Sequence, residues 1–103
     1  MITLGSAGED LTVVIPVGAR FLTKLTASIP WPLGTVIELH LLNELTDDPV
    51  VWSAVISGSD ATFDVAASQV TTDTADRPSV ARLLYDSDGG GLLLWAHGTT
   101  RYV

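Results

Sequence analysis

Residues 50–65, VVWSAVISGSDATFDV, decide the fold class of this chain. From Val50 to Ile56 nearly every residue is apolar, with Trp52, Ala54 and Ile56 on one side of an extended backbone and Val51, Ser53 and Val55 on the other. A short run of this kind, rich in β-branched and aromatic residues and closed by turn formers, reads as a strand covered on both faces. Ser57, Gly58, Ser59 and Asp60 supply the turn. The following stretch, Ala61 to Ala66, alternates as a half-buried strand does, with Phe63 and Val65 inward and Thr62 and Asp64 outward.

Outward from this segment the same period continues in both directions. Toward the N-terminus, Leu11, Val13 and Ile15 share one face of a first strand, and Pro16 and Gly18 punctuate before a second strand over Arg20 to Ala27. There Phe21, Thr23, Leu25 and Ala27 oppose Arg20, Lys24 and Thr26, and Leu22 breaks the pattern. Ser28 to Gly34 holds Pro30 and Pro32, which remove two backbone donors and fix φ, so it reads as an extended connection. Thr35 to Leu42 places Ile37, Leu39 and Leu41 opposite Val36, Glu38, His40 and Leu42, and Asn43 to Pro49 forms a loop with an acidic tip at Asp47 and Asp48.

Toward the C-terminus, Ala66 to Ala75 is where a helix competes, and its three Thr and one Asp limit the expectation to one turn or an irregular connection. Ser79 to Asp86 resumes the strand pattern, with Ala81, Leu83 and Tyr85 opposing Val80, Arg82 and Leu84. Asp86-Ser87-Asp88-Gly89-Gly90-Gly91 is a hairpin turn, because Asp and consecutive Gly supply the positive φ values that tight connections need. Leu92 to His97, Gly98 and Thr99 to Val103 close the chain as one strand or two. The whole predicts an all-β fold: a small antiparallel β-sandwich of the immunoglobulin-like kind, with about seven or eight strands and at most one short helical turn. One domain over residues 1–103 accounts for it, with residues 1–10 as an extended N-terminal arm.

Composition narrows the function. Of 103 residues, 47% are apolar and 17% charged, enough to fill one core and far from the signature of disorder. Five Lys and Arg against twelve Asp and Glu give a formal charge of −7, which repels phosphate backbones and anionic lipids, so neither nucleic acid nor membrane is an expected partner. The chain has no Cys, hence no disulfide, thiolate nucleophile or Cys-based metal site. No basic segment precedes the first apolar stretch, so no signal peptide is expected, and no apolar run approaches the roughly 18 residues of a membrane span. Positive mean hydropathy with few charges predicts more apolar surface than a solitary small domain exposes, and burial against neighbours.

Motifs for chemistry are weak. His40 alternates with Glu38, which a solvated strand face explains as well as a catalytic pair does, and His97 sits between Ala96 and Gly98. Asp86-x-Asp88 begins like a calcium loop, but the later ligands, including the bidentate Glu, are missing, and a plain turn uses the same residues. Ser57-Gly58-Ser59 lacks the flanks of a nucleophile elbow, and Gly89-Gly90-Gly91 runs into an apolar strand without the Lys of a phosphate loop. No catalytic residue, metal site or cofactor is expected, and the chain is read as a non-enzyme. Among the aromatics, Trp52 and Trp95 lie within strands and are expected to pack in the core. Trp31, held between two prolines, is either an interface anchor or a lid folded back on the sheet.

The stretch from Leu11 to Phe21, LTVVIPVGARF, resembles the opening strand, Gly-Ala turn and second strand of small virion β-sandwich proteins of siphophages, notably those of mycobacteria and their relatives. Val50–Ile56, Ala61–Val65, Ala81–Tyr85 and Leu94–Gly98 are similar to the successive strands of that family in order. The resemblance is to the LtfC-type β-sandwich domain, named for a collar protein that helps attach long fibres to a phage tail. It implies a minor tail or collar accessory protein present in multiple copies on the virion and made in the host bacterial cytoplasm. Its partners would be other tail or capsid proteins and copies of itself. The alternatives are a capsid decoration protein and a carbohydrate-binding module using Trp31, Trp52 and Tyr102 as a platform. The expected partner interface comprises Pro30, Trp31 and Pro32 together with Thr99, Thr100, Arg101, Tyr102 and Val103. The last five are expected, with Leu11 to Ile15, at sheet edges open to strand addition.

Overall fold

A computed structural model describes residues 2–4, 10–43 and 48–103. The chain forms β1 (Ile2–Leu4), β2 (Asp10–Ile15), β3 (Phe21–Thr26), β4 (Val36–Leu42), β5 (Val50–Ser53), β6 (Val55–Ser57), β7 (Asp60–Val65), α1 (Ala67–Asp73), β8 (Val80–Asp86) and β9 (Leu93–Tyr102). They build a six-stranded sheet in the order β1-β2-β9-β8-β4-β5 and a three-stranded sheet in the order β3-β7-β6. Side chains of the alternating inward positions meet between them. Val13, Ile15, Phe21, Ile37, Leu39, Leu41, Trp52, Ala61, Phe63, Val70, Ala81, Leu83 and Ala96 form one buried cluster. Apart from Val70, which comes from the Ala67–Asp73 helix, and Ala96, these lie on the strand faces that the period-2 reading groups together, and Leu22, which breaks that period, is exposed on the outer side of β3. The Cα radius of gyration is 13.2 Å, as the scaling for about 100 residues gives.

Four expectations change. Val50–Ile56 is not one strand covered on both faces: β5 pairs with β4 and β6 pairs with β7 in the opposite sheet. Ala54 is the corner between them, its N–H donating to the Ile37 carbonyl at 2.9 Å. A chain that bends around the core keeps one parity inside through the bend, so Trp52, Ala54 and Ile56 stay on one side while Val51 and Val55 face solvent on edge strands. Second, the sheet is mixed, because β2 and β9 run parallel from Asp10↔His97 to Ile15↔Tyr102. Nearly the whole chain separates these strands in sequence, so no hairpin dictates their direction.

Third, the two terminal segments are not edges. β9 lies between β2 and β8, and β2 lies between β1 and β9. Of the expected N-terminal arm, Ile2–Leu4 pairs antiparallel with β2. The rest of that arm before Asp10, the Leu11 side chain and the loop tip at Asp47 lie outside the described residues. Fourth, α1 runs for seven residues, more than one turn. Its threonines are accommodated because the hydroxyls of Thr71, Thr72 and Thr74 donate to the carbonyls of Ala67, Ser68 and Val70, one turn back, and Val70 seats the helix on the core.

A bulge shapes the end of the sandwich. Leu83 faces Ala96 while Leu84 faces Leu94, so Trp95 is an extra residue in β9. The bulge turns its ring to the same side as Ala96, where it meets Tyr85 and Trp31 edge-on at 5.9 Å and 5.8 Å between ring centroids.

Candidate interaction surface

The two segments read as an interface differ in how they are held. In the C-terminal strand, the Thr100 hydroxyl and the Tyr102 hydroxyl both donate to the Pro78 carbonyl, the latter at 2.6 Å. The Arg77 guanidinium lies over the Tyr102 ring, 5.1 Å from its centroid. Partial burial pushes the Tyr102 phenol above its ordinary value. Val103 donates its N–H to the Ile15 carbonyl and accepts one from Val17. Thr99, Arg101 and Val103 are exposed, and Thr100 and Tyr102 are half-buried.

The Pro-rich connection is held from within. The Trp31 N–H donates to the Gly58 carbonyl at 2.9 Å, and both the amide and the hydroxyl of Thr35 donate to the Pro32 carbonyl. Gly34 sits at φ 85°, in the left-handed region that favours glycine. Trp31 folds back so that its ring leans on Trp95, and its indole nitrogen is buried. Pro30 and Pro32 are exposed, as are Ile29 and, fully, Leu33. The interface reading did not include Ile29 and Leu33, whose side chains are exposed beside Pro30 and Pro32. The signal for them was present: no residue from Ala27 to Ile37 is charged.

Beside this connection stands the β8–β9 hairpin. The Asp86 carboxylate accepts the N–H groups of Asp88, Gly89 and Gly91, and Asp88 accepts that of Gly90. These bonds, led by the one from Gly89, hold the Asp86 carboxyl below the ordinary carboxylate value. Its oxygens thus serve as the turn's internal brace. Past the brace, Leu92, Leu93 and Leu94 are all exposed. Three consecutive leucines cannot all face inward on a strand, which is the sequence signal for this surface.

On the outer face of the six-stranded sheet, the register sets His40, Arg82 and His97 side by side on β4, β8 and β9. His40 Nε2 lies 2.9 Å from Glu38 Oε1. Val80, Arg82, Leu84, Leu94 and His97 line an open concavity of about 360 Å³. This row can hold charge and donate hydrogen bonds. Among the described residues, no group of three or more His, Asp and Glu gathers into a metal-binding arrangement.

Two further polar contacts brace the fold. Arg20 makes a two-pronged pair with Asp64, both contacts at 2.6 Å, which raises the guanidinium and lowers the carboxyl from their ordinary values. The Trp52 indole donates to Asp73 at 2.8 Å while its ring lies 5.1 Å from Phe21. Trp52 is 4% exposed, so Trp31, Trp52 and Tyr102 do not form the shared open platform that a sugar would need.

The sequence profile of the family described as LtfC-like, beta-sandwich domain matches residues 7–103. The chain belongs to the LtfC-like β-sandwich domain family. Among curated proteins, none matches the chain. The LtfC-like match spans both candidate segments and every strand from β2 to β9, and it fits a phage-associated structural domain.

Proposed function

We propose that this LtfC-like domain is a bacteriophage virion structural protein, a minor tail or collar accessory sandwich that assembles in multiple copies on the particle. Membership in the LtfC-like family over residues 7–103 carries the reading. The local chemistry agrees with it, since Asp64, Asp73 and Asp86 are each engaged in bracing the fold. The domain acts by contact, without a cofactor or a catalytic group. Its partners are other virion proteins and further copies of itself, and neither nucleic acid nor a membrane is among them. It is made in the host cytoplasm and resides in the virion.

Quantitative mass spectrometry of purified virions tests this directly. A few to a few tens of copies per particle, measured against the major capsid and tail proteins, is the expected result. Hundreds of copies would replace the tail assignment with capsid decoration. Absence from the particle would overturn the structural reading.

A further inference from the structure

Among the described residues eleven large apolar side chains are exposed, and six of them belong to two short segments: Ile29, Leu33 and Val36 in one, Leu92, Leu93 and Leu94 in the other. The fold brings those segments to the same end of the sandwich. Val36 pairs with Asp86 at the base of the hairpin, Tyr85 lies between Ile37 and Leu93, and Trp31 rests on Trp95. Leu33 is as exposed as a free side chain, at 105%, and Ile29 is 70% exposed. Val36 and Leu94 take outward positions on the six-stranded sheet, Leu94 beside Arg82 and His97, and the other four present apolar surface on the order of 500 Å², in the upper range of a monomer's largest patch and more than half of the roughly 800 Å² per partner of an ordinary interface.

Charge decides what can cover it. The chain carries a formal charge of −7, so two copies repel unless they meet where the charge is absent. Neither Ala27–Ile37 nor Gly89–Ala96 contains an ionisable residue, and the nearby Asp86 and Asp88 turn their carboxylates onto loop amides. An uncharged apolar surface is complementary to itself, as a two-fold contact requires, whereas an acidic one is not. The surface is also set in advance by the Asp86 brace, the Thr35–Pro32 bonds and the Trp31–Trp95 contact, which lowers the ordering cost of association.

We infer that this end of the sandwich, centred on Leu33 and Leu93, pairs with the same surface of a second copy of the chain. The inference deepens the multi-copy reading above and rests on it for its biological setting, but it concerns the isolated domain and is measured there.

Sedimentation velocity of the purified chain, over about a hundredfold range of concentration, provides the test. The wild type is expected to shift from monomer to dimer. Leu33→Asp with Leu93→Asp is expected to remain monomeric throughout while melting at the wild-type temperature at concentrations where the wild type is itself monomeric. Val17→Asp, at an exposed apolar site beside Val103 and so beyond the opposite end of β9, is expected to dimerise as the wild type does. Raising salt is expected to strengthen pairing, because it screens the like charge of the two copies and breaks no ion pair at the contact. A wild type that stays monomeric into the millimolar range, or a double variant that still dimerises, would overturn the inference. Failure here with the chain present in virions removes the pairing surface alone, whereas absence from virions removes the proposed function.

Discussion

The C-terminal strand and the hairpin end of the sandwich share β9, and they teach opposite lessons about exposed apolar sequence. From His97 to Thr99 the strand is flanked on both sides, by β2 and β8, its continuation to Tyr102 pairs with β2, and the hydroxyls of Thr100 and Tyr102 are tied to Pro78. From Leu92 to Leu94 the same strand emerges beyond that cover and presents three leucines to solvent. Position in the sheet, and not nearness to the chain end, determines which backbone and side chains remain available to a partner.

The sharpest way to break this comparison is to remove Thr99–Val103. The segment carries four of the six register pairs that hold β2 to β9 and reaches β8 at Thr99, so the truncated chain is expected to lose its cooperative thermal transition in circular dichroism. The loss exceeds the roughly 5–15 kcal/mol that holds a small domain together. A folded, monomeric truncation product would return the strand to the edge. Next in size, Phe63→Ala empties a fully buried position and is expected to cost about 3–5 kcal/mol in urea unfolding, with an unchanged denaturant slope.

Acid titration separates the two regions by another route. Asp86, in the hairpin, and Asp64, on the three-stranded sheet, hold their protons less tightly in the fold than in the unfolded chain, whose value is about 3.8. Their contribution is therefore fully present above that value and is lost as pH falls through the lower folded pKa. The melting temperature is expected to drop as pH falls below about 4, and Asp86→Asn is expected to lessen the drop, as a pH series of melts would read. The smallest effect is expected from Leu33→Ser. A fully exposed side chain carries no packing, so its loss shifts unfolding by less than about 0.5 kcal/mol in the same urea titration.

Much of the fold was legible in the sequence, because alternation on β3, β4, β7 and β8 directly encodes which side faces the core. The corner at Ala54 was not, since a chain bending around the core keeps the same parity as a straight strand. Nor was the parallel β2–β9 pairing, which joins segments too distant in sequence for turn chemistry to specify. The interface reading picked out Pro30, Trp31 and Pro32 on the Pro-rich connection. It did not reach Ile29 and Leu33, because a large aromatic draws attention whether it faces out or, like Trp31, leans on Trp95. Thr99–Val103 misled for a related reason: a terminal segment looks like an edge until its neighbours are known.

Amide hydrogen exchange at low and high protein concentration tests the central contrast most directly. Residues 29–36 and 91–94 are expected to gain protection as concentration rises, while residues 99–102 are already protected in the monomer and unchanged. Concentration-dependent protection confined to residues 99–103, with the hairpin end unaffected, would contradict the account.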